Sequence, residues 1–153
     1  LSKTYNMAGW RLGMVVGNAQ VISYLHTYKS QADSSQFEAV IDAGIAALSG
    51  DQAWINDRND IYRQRRDLVV DALTEAGFEV DRPPAAIYVW AKLPSQFANS
   101  TEFCTRLLED TGVSTTPGVV YGEYGEGYLR ISLGTATDSI KEAMQRLVKW
   151  IKG

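Results

Sequence analysis

The sequence predicts an α/β chain whose second part is an α+β domain, a small mixed sheet covered by helices and led into by one long bridging helix. Three observations predict it. From residue 51 the elements read α-β-β-α-β-β-α, a pattern that packs as a sheet with helices over it. Trp54, Ile61 and Leu68 recur by sevens beside a second row of Tyr62, Val69 and Ala76, which marks one helix of about 26 residues and roughly 39 Å. After Gly77 the periodicity changes from helical to alternating, the signature of strands.

In chain order, Lys3 to Gly9 is turn-like, punctuated by Asn6 and Gly9. Trp10 to Gly17 alternates and predicts a short buried strand, with Leu12, Met14 and Val16 on one side. Asn18 is placed to cap a helix whose apolar set is Val21, Tyr24, Leu25 and Tyr28. Ser35-Gln-Phe-Glu38 has capping-box spacing and predicts a second helix, with Phe37, Ile41, Ile45 and Leu48 inward and Gly50 as its stop. The long helix over Asp51–Ala76 ends at Gly77, and its charged face from Arg58 to Asp71 reads as solvated. Phe78 to Asp81 and Ala86 to Lys92 are strands separated by Pro83-Pro84. Asn99 caps a helix with Phe103, Leu107 and Leu108 inward and Gly112 at its end. Val113 to Thr116 and Tyr128 to Leu133 are strands, and Thr137 or Asp138 caps a last amphipathic helix carrying Ile140, Met144, Leu147, Val148 and Ile151.

Composition narrows the function classes. The chain has 153 residues, 45% of them hydrophobic and 22% charged, ordinary values for a globular protein. A net charge of −3 gives no electrostatic reason to expect nucleic acid or a membrane surface as partner. No apolar run approaches the roughly 20 residues of a membrane span. Cys104 is the single cysteine, which fits a reducing, cytoplasmic compartment. No metal-ligand spacing occurs. The first residues, Leu1-Ser2-Lys3, read as the middle of a segment.

The chemistry concentrates in few side chains. Lys3 opens a glycine-bearing turn and Arg11 follows it ahead of the expected strand. An amine can condense with an aldehyde and a guanidinium can hold a phosphate; pyridoxal phosphate (PLP) carries both groups. Arg130 sits inside the apolar stretch Tyr128-Leu-Arg-Ile-Ser-Leu133. It is either one half of a structural salt bridge or a bidentate clamp on a substrate carboxylate. The glycine-rich loop Gly122-Glu-Tyr-Gly-Glu-Gly127 leads into a strand rather than a helix and carries two carboxylates, so it reads as a connecting turn and not a phosphate cradle. His26 and Cys104 read as packing residues.

Ser2-Lys-Thr-Tyr-Asn-Met-Ala-Gly-Trp-Arg-Leu-Gly13 resembles the PLP-attachment motif of the class I/II aminotransferases. Arg65-Arg-Asp67, Ala86-Ile-Tyr-Val-Trp90, Thr116-Pro-Gly118 and Gly127-Tyr-Leu-Arg-Ile-Ser132 resemble family segments in the same order, so the resemblance covers the whole chain. It implies the C-terminal part of fold-type-I PLP-dependent transferases, with residues 1–50 the tail of the large PLP-binding domain and 51–153 the small domain. It implies that Lys3 is the lysine joined to PLP and the proton shuttle, that Arg11 binds the PLP phosphate, that Ser2 lies in the same phosphate-binding turn, and that Arg130 clamps the substrate α-carboxylate. Amino acid and 2-oxo acid substrates and a homodimeric intact protein follow from the same resemblance. The family's remaining cofactor contacts lie upstream of the lysine, so this chain alone is expected not to transaminate. Asp33-Ser-Ser-Gln-Phe37 and the 121–127 loop look most like LL-diaminopimelate aminotransferases and their aspartate-specific relatives. No arginine occurs between residues 12 and 57, so the distal-carboxylate arginine of one aspartate-specific subgroup is absent. An effector-sensing, aminotransferase-like module of a transcriptional regulator is the alternative from another class.

Overall fold

The computed structural model describes residues 1–153, which form two compact units, Leu1–Asp57 and Arg58–Gly153. In the first, the Tyr5 N–H donates to the Leu1 carbonyl oxygen at 3.0 Å, a 3₁₀ turn covers Ala8–Trp10, and two helices follow, α1 (Ala19–Ala32) and α2 (Glu38–Ser49). Asn18 starts α1 as its residue type predicts, its side-chain oxygen accepting from Gln20 N–H at 2.9 Å and Val21 N–H at 3.3 Å. α2 begins differently. Phe37 precedes it and no side chain caps it, because the helix starts at Glu38, two residues later than a box headed by Ser35 requires. Gly50 closes α2, its N–H donating to the Ala46 carbonyl oxygen at 2.9 Å.

Two further expectations for this unit are corrected. Residues 12–16 form no strand. Alternation supplies a face, but a strand also needs a second strand to take up its N–H and C=O groups; here the Leu1 amino group donates to Leu12 O at 3.0 Å and no ladder forms. Val15 and Val16 are 64% and 81% exposed. The apolar rows of both helices are exposed as well, Tyr24, Tyr28, Phe37 and Ile45 among them. What α2 does bury is Gly44; a Cβ there would stand 2.3 Å from Leu12 Cδ2, so the missing side chain lets the helix meet the segment after the turn.

The boundary between the units falls within α3 (Ala53–Glu75), 23 residues long. Its end is a two-bond cap. Phe78 N–H donates to Leu73 O at 3.0 Å and Gly77 N–H to Thr74 O at 3.1 Å, with Gly77 at φ 85°, the left-handed geometry that favours glycine. The second unit continues with β1 (Tyr88–Lys92), α4 (Ser100–Thr111), β2 (Thr116–Pro117), β3 (Tyr128–Ser132) and α5 (Thr137–Lys152). The helix-covered small sheet is as expected, but it is not mixed. β1 and β2 both pair antiparallel with β3, in the order β1-β3-β2. β1 and β2 run parallel across the α4 crossover, yet β3 lies between them, so no parallel pair forms. Phe78–Asp81 reduces to a single bridge, Glu79 with Lys92, and the strand placed at Val113–Thr116 shifts to Thr116–Pro117.

One face of this sheet is core. Val89 and Ala91 of β1 and Leu129 and Ile131 of β3 are buried with Val69, Val70 and Leu73 of α3, Phe103 and Leu107 of α4, and Ile140, Met144 and Leu147 of α5. Full burial of each large aliphatic side chain contributes about 1.5–3 kcal/mol. Phe103 meets Phe78, Phe97 and Trp150 edge-on. The charged face of α3 is only partly solvated. Arg65 donates from Nε to Thr137 Oγ1 and from Nη1 to Leu133 O, both at 3.0 Å, which ties α3 to the link between β3 and α5. Thr137 is therefore the first residue of α5 and a partner of Arg65, not the cap, a place taken by Ala136 with no side-chain bond.

α4 is capped twice. Asn99 Oδ1 accepts from Glu102 N–H at 2.9 Å, and the Glu126 carboxylate, carried on the loop before β3, accepts from Ser100 N–H at 2.6 Å and Gly127 N–H at 2.8 Å. These N–H groups, Ser100 first, hold the Glu126 carboxyl below its ordinary value of 4.5. A depressed folded value stabilises the fold fully above about pH 4.5 and progressively less as pH falls through it. Glu126→Gln is expected to lower the unfolding midpoint near neutral pH. The variant and the parent should converge in strong acid, as followed by circular dichroism across the pH range.

Candidate active site

The first fourteen residues turn back on themselves by two backbone exceptions. Asn6 and Arg11 take φ of 55° and 52°, in the left-handed region. Asn tolerates it; for Arg the conformation costs on the order of 1 kcal/mol. Two hydrogen bonds hold it, Arg11 Nη1 donating to Ala8 O at 3.2 Å and Gln36 Nε2 donating to Arg11 O at 3.3 Å. The result is an open cleft of about 460 Å³ lined by Leu1, Ser2, Lys3, Thr4, Arg11, Leu12 and Gly13. Ser2, Lys3 and Arg11 thus share one cavity of the first unit. An exposed amine can add to a carbonyl there, and a guanidinium and a hydroxyl can take a phosphate. This donor set fits an aldehyde that also bears a phosphate.

Arg130 belongs to the second unit and has a site of its own. The register Trp90↔Arg130 and Tyr88↔Ser132 puts Tyr88, Trp90, Tyr128 and Arg130 on the sheet face opposite the core. The guanidinium carbon lies 4.1 Å from the Tyr88 ring centroid and 4.5 Å from that of Tyr121. Trp90 stacks on Tyr128 at 5.6 Å and meets Tyr121 edge-on at 5.8 Å. Within these 153 residues Arg130 makes no salt bridge. The chain's ion pairs are made by other residues, and ring faces take the place of a carboxylate. A ring face attracts the cation without the lone pairs of a carboxylate, so N–H donors of the guanidinium stay available to an outside anion.

Tyr121 reaches Arg130 because of two glycines. It sits in a 3₁₀ turn, Gly118–Tyr121, followed by a second, Glu123–Gly125. A Cβ on Gly118 would stand 2.1 Å from Gly125 O, and one on Gly125 2.1 Å from Gly118 O, so the two turns meet backbone to backbone where no side chain fits. The expected connecting turn is therefore also what carries a ring to Arg130. The aromatic neighbours were not singled out from the sequence. Alternation in Tyr88-Val-Trp90 and Tyr128-Leu-Arg130 carried part of the signal, since it puts these residues on one face once the strands are paired.

Ser2, Lys3 and Arg11 line one cleft of the first unit and Arg130 lies over two tyrosine rings in the second, and likeness to known proteins gives the family in which these residues stand. The family model for aminotransferase class I and II matches residues 1–147, and the chain belongs to this PLP-dependent family. It is 48% identical over 149 residues to an LL-diaminopimelate aminotransferase of Maridesulfovibrio salexigens, covering 97% of this chain and 38% of that protein. Among solved structures, an aminotransferase from Staphylococcus aureus superposes with a TM-score of 0.89 at 32% identity over 99% of this chain and 40% of its own. An aspartate aminotransferase from Rhizobium meliloti does so with 0.81 at 31% identity, again over 99% and 40%. The chain thus spans about 38% of the length of the curated relative.

Gly125→Ala is expected to force the two turns apart and destabilise the second unit by about 1–3 kcal/mol. A weakened near-ultraviolet dichroism from the Trp90–Tyr121 contact should accompany the loss.

Proposed function

We propose that this chain provides the lysine, the phosphate anchor and the carboxylate clamp of an aminotransferase that exchanges amino groups between an amino acid and a 2-oxo acid. The observation that carries the reading is the shared cleft of Ser2, Lys3 and Arg11 in a chain matched by the family model over residues 1–147. Residues 1–50 would be the tail of the large domain and 51–153 the small one, within a longer homodimeric protein. The exposed apolar rows of α1 and α2 suit a segment covered by further polypeptide.

Lys3 Nζ would hold PLP, and the Arg11 guanidinium, with the Ser2 hydroxyl beside it, would bind the phosphate. When bound, PLP supplies an electron sink for the substrate α-carbon. Lys3 Nζ would be the group that carries the proton from the substrate α-carbon. Arg130 receives the α-carboxylate in its bidentate fork and so fixes which face of the α-carbon is presented. LL-Diaminopimelate is the donor favoured by the 48% identity to the M. salexigens protein.

Borohydride reduction of the PLP-loaded intact protein, followed by peptide mapping, is expected to place the pyridoxyl label on Lys3; a label on another lysine overturns the assignment. The 153-residue chain by itself should show no turnover. A screen of amino donors against the intact protein should rank LL-diaminopimelate first, and a flat or aromatic-led profile would reject that substrate.

A further inference from the structure

We propose that Tyr121 and Tyr88 are positioning residues for carboxylate selection: they hold the Arg130 guanidinium in one plane, and this planarity lets the site prefer an amino acid over the corresponding amine. The inference rests on the carboxylate reading of Arg130 and adds to it a cause for the fork's orientation. Arginine has a long, rotatable stem, and a bidentate bond to a carboxylate requires its plane to be set beforehand. Inside proteins an ion pair normally does this, but an acidic partner would also neutralise the charge the substrate needs. Here two tyrosine rings, 4.1 Å and 4.5 Å from the guanidinium carbon, fix the plane without a competing anion. A π face attracts the cation electrostatically and contributes no acceptor in the plane of the N–H groups.

The two rings are not equivalent. Tyr88 is part of β1, whose register against β3 is fixed by ladder bonds. Tyr121 stands on the 3₁₀ turn that the Gly118–Gly125 contact positions, and Trp90 braces it edge-on. Tyr121 is also 49% exposed, so replacing it removes a ring face with little loss of core. Its chemistry at this place is that of a ring: phenylalanine keeps the face, and leucine does not.

The test compares an amino acid donor with its decarboxylated amine on the intact, PLP-loaded enzyme and reads the ratio of the two kcat/KM values. Tyr121→Leu should reduce the preference for the amino acid about five-fold, through a raised KM for the amino acid and for the 2-oxo acid, with the amine unaffected. Tyr121→Phe should restore the parent ratio, and Tyr88→Leu should reproduce the loss. Equal slowing of amino acid and amine by Tyr121→Leu would mean a merely structural ring and overturn the proposal. Arg130→Ala separates the two levels. If it leaves the preference intact, the carboxylate reading of Arg130 fails; if it abolishes the preference while Tyr121→Leu and Tyr88→Leu do not change it, only the positioning role fails.

Discussion

The second unit depends on the alternation of one strand. β3 is the centre of the sheet, paired on both sides, and Leu129 and Ile131 are buried against three helices. Because strand side chains alternate, those two burials force Arg130 to the opposite face. The ladder with β1 then fixes which β1 side chains emerge beside it, Tyr88 and Trp90. A slip of one residue would put the guanidinium in the core and two aliphatic side chains outside. The hydrophobic effect that closes the core thus also sets the position of the cation, and the aromatic surroundings of Arg130 follow from the same register.

Where regular structure ends, backbone geometry takes over. Between β2 and β3 the chain turns through two 3₁₀ segments that touch at Gly118 and Gly125, closer than any side chain would permit. This tight loop brings Tyr121 to Arg130 and, one step further, Glu126 to the start of α4. In the first unit the left-handed Arg11 plays a comparable part, since its conformation accompanies the return of the chain toward Lys3. A non-glycine residue held in such a conformation is common where function sets the geometry. At both places the glycines and the strained residue serve side chains several positions away.

These differences explain what could be read from the residues and what could not. Asn18, Gly77, Asn99 and Gly112 act within a few residues of themselves, and their caps form as their types predict. The buried rows of α4 and α5 likewise follow from helical spacing, because each has a sheet to pack on. The Ser35 box and the Trp10–Gly17 strand had the right local pattern and did not form. A cap competes with an alternative start two residues away, and a strand exists only with a partner. The pairing of Arg130 with Tyr121 depends on a loop contact that no periodicity announces. For Lys3 and Arg11, spacing suggested the chemistry, but only the two left-handed residues show how both side chains line one cleft.

The exposed rows of α1 and α2 state the remaining relation between pattern and environment. Their spacing is that of buried faces: Val21, Tyr24, Leu25 and Tyr28 on one helix, Phe37, Ile41, Ile45 and Leu48 on the other. All eight are exposed. Periodicity records the surroundings a sequence is suited to, whereas accessibility records those present in these 153 residues. The two agree in the second unit, where the sheet supplies the cover. They part in the first, in a chain that spans 38% of its relative's length. Apolar rows of this size are costly in water, of order 1 kcal/mol or more for each large side chain left exposed. That cost is the physical argument for the proposal that further polypeptide covers the first unit, and with it the segment that carries Lys3 and Arg11.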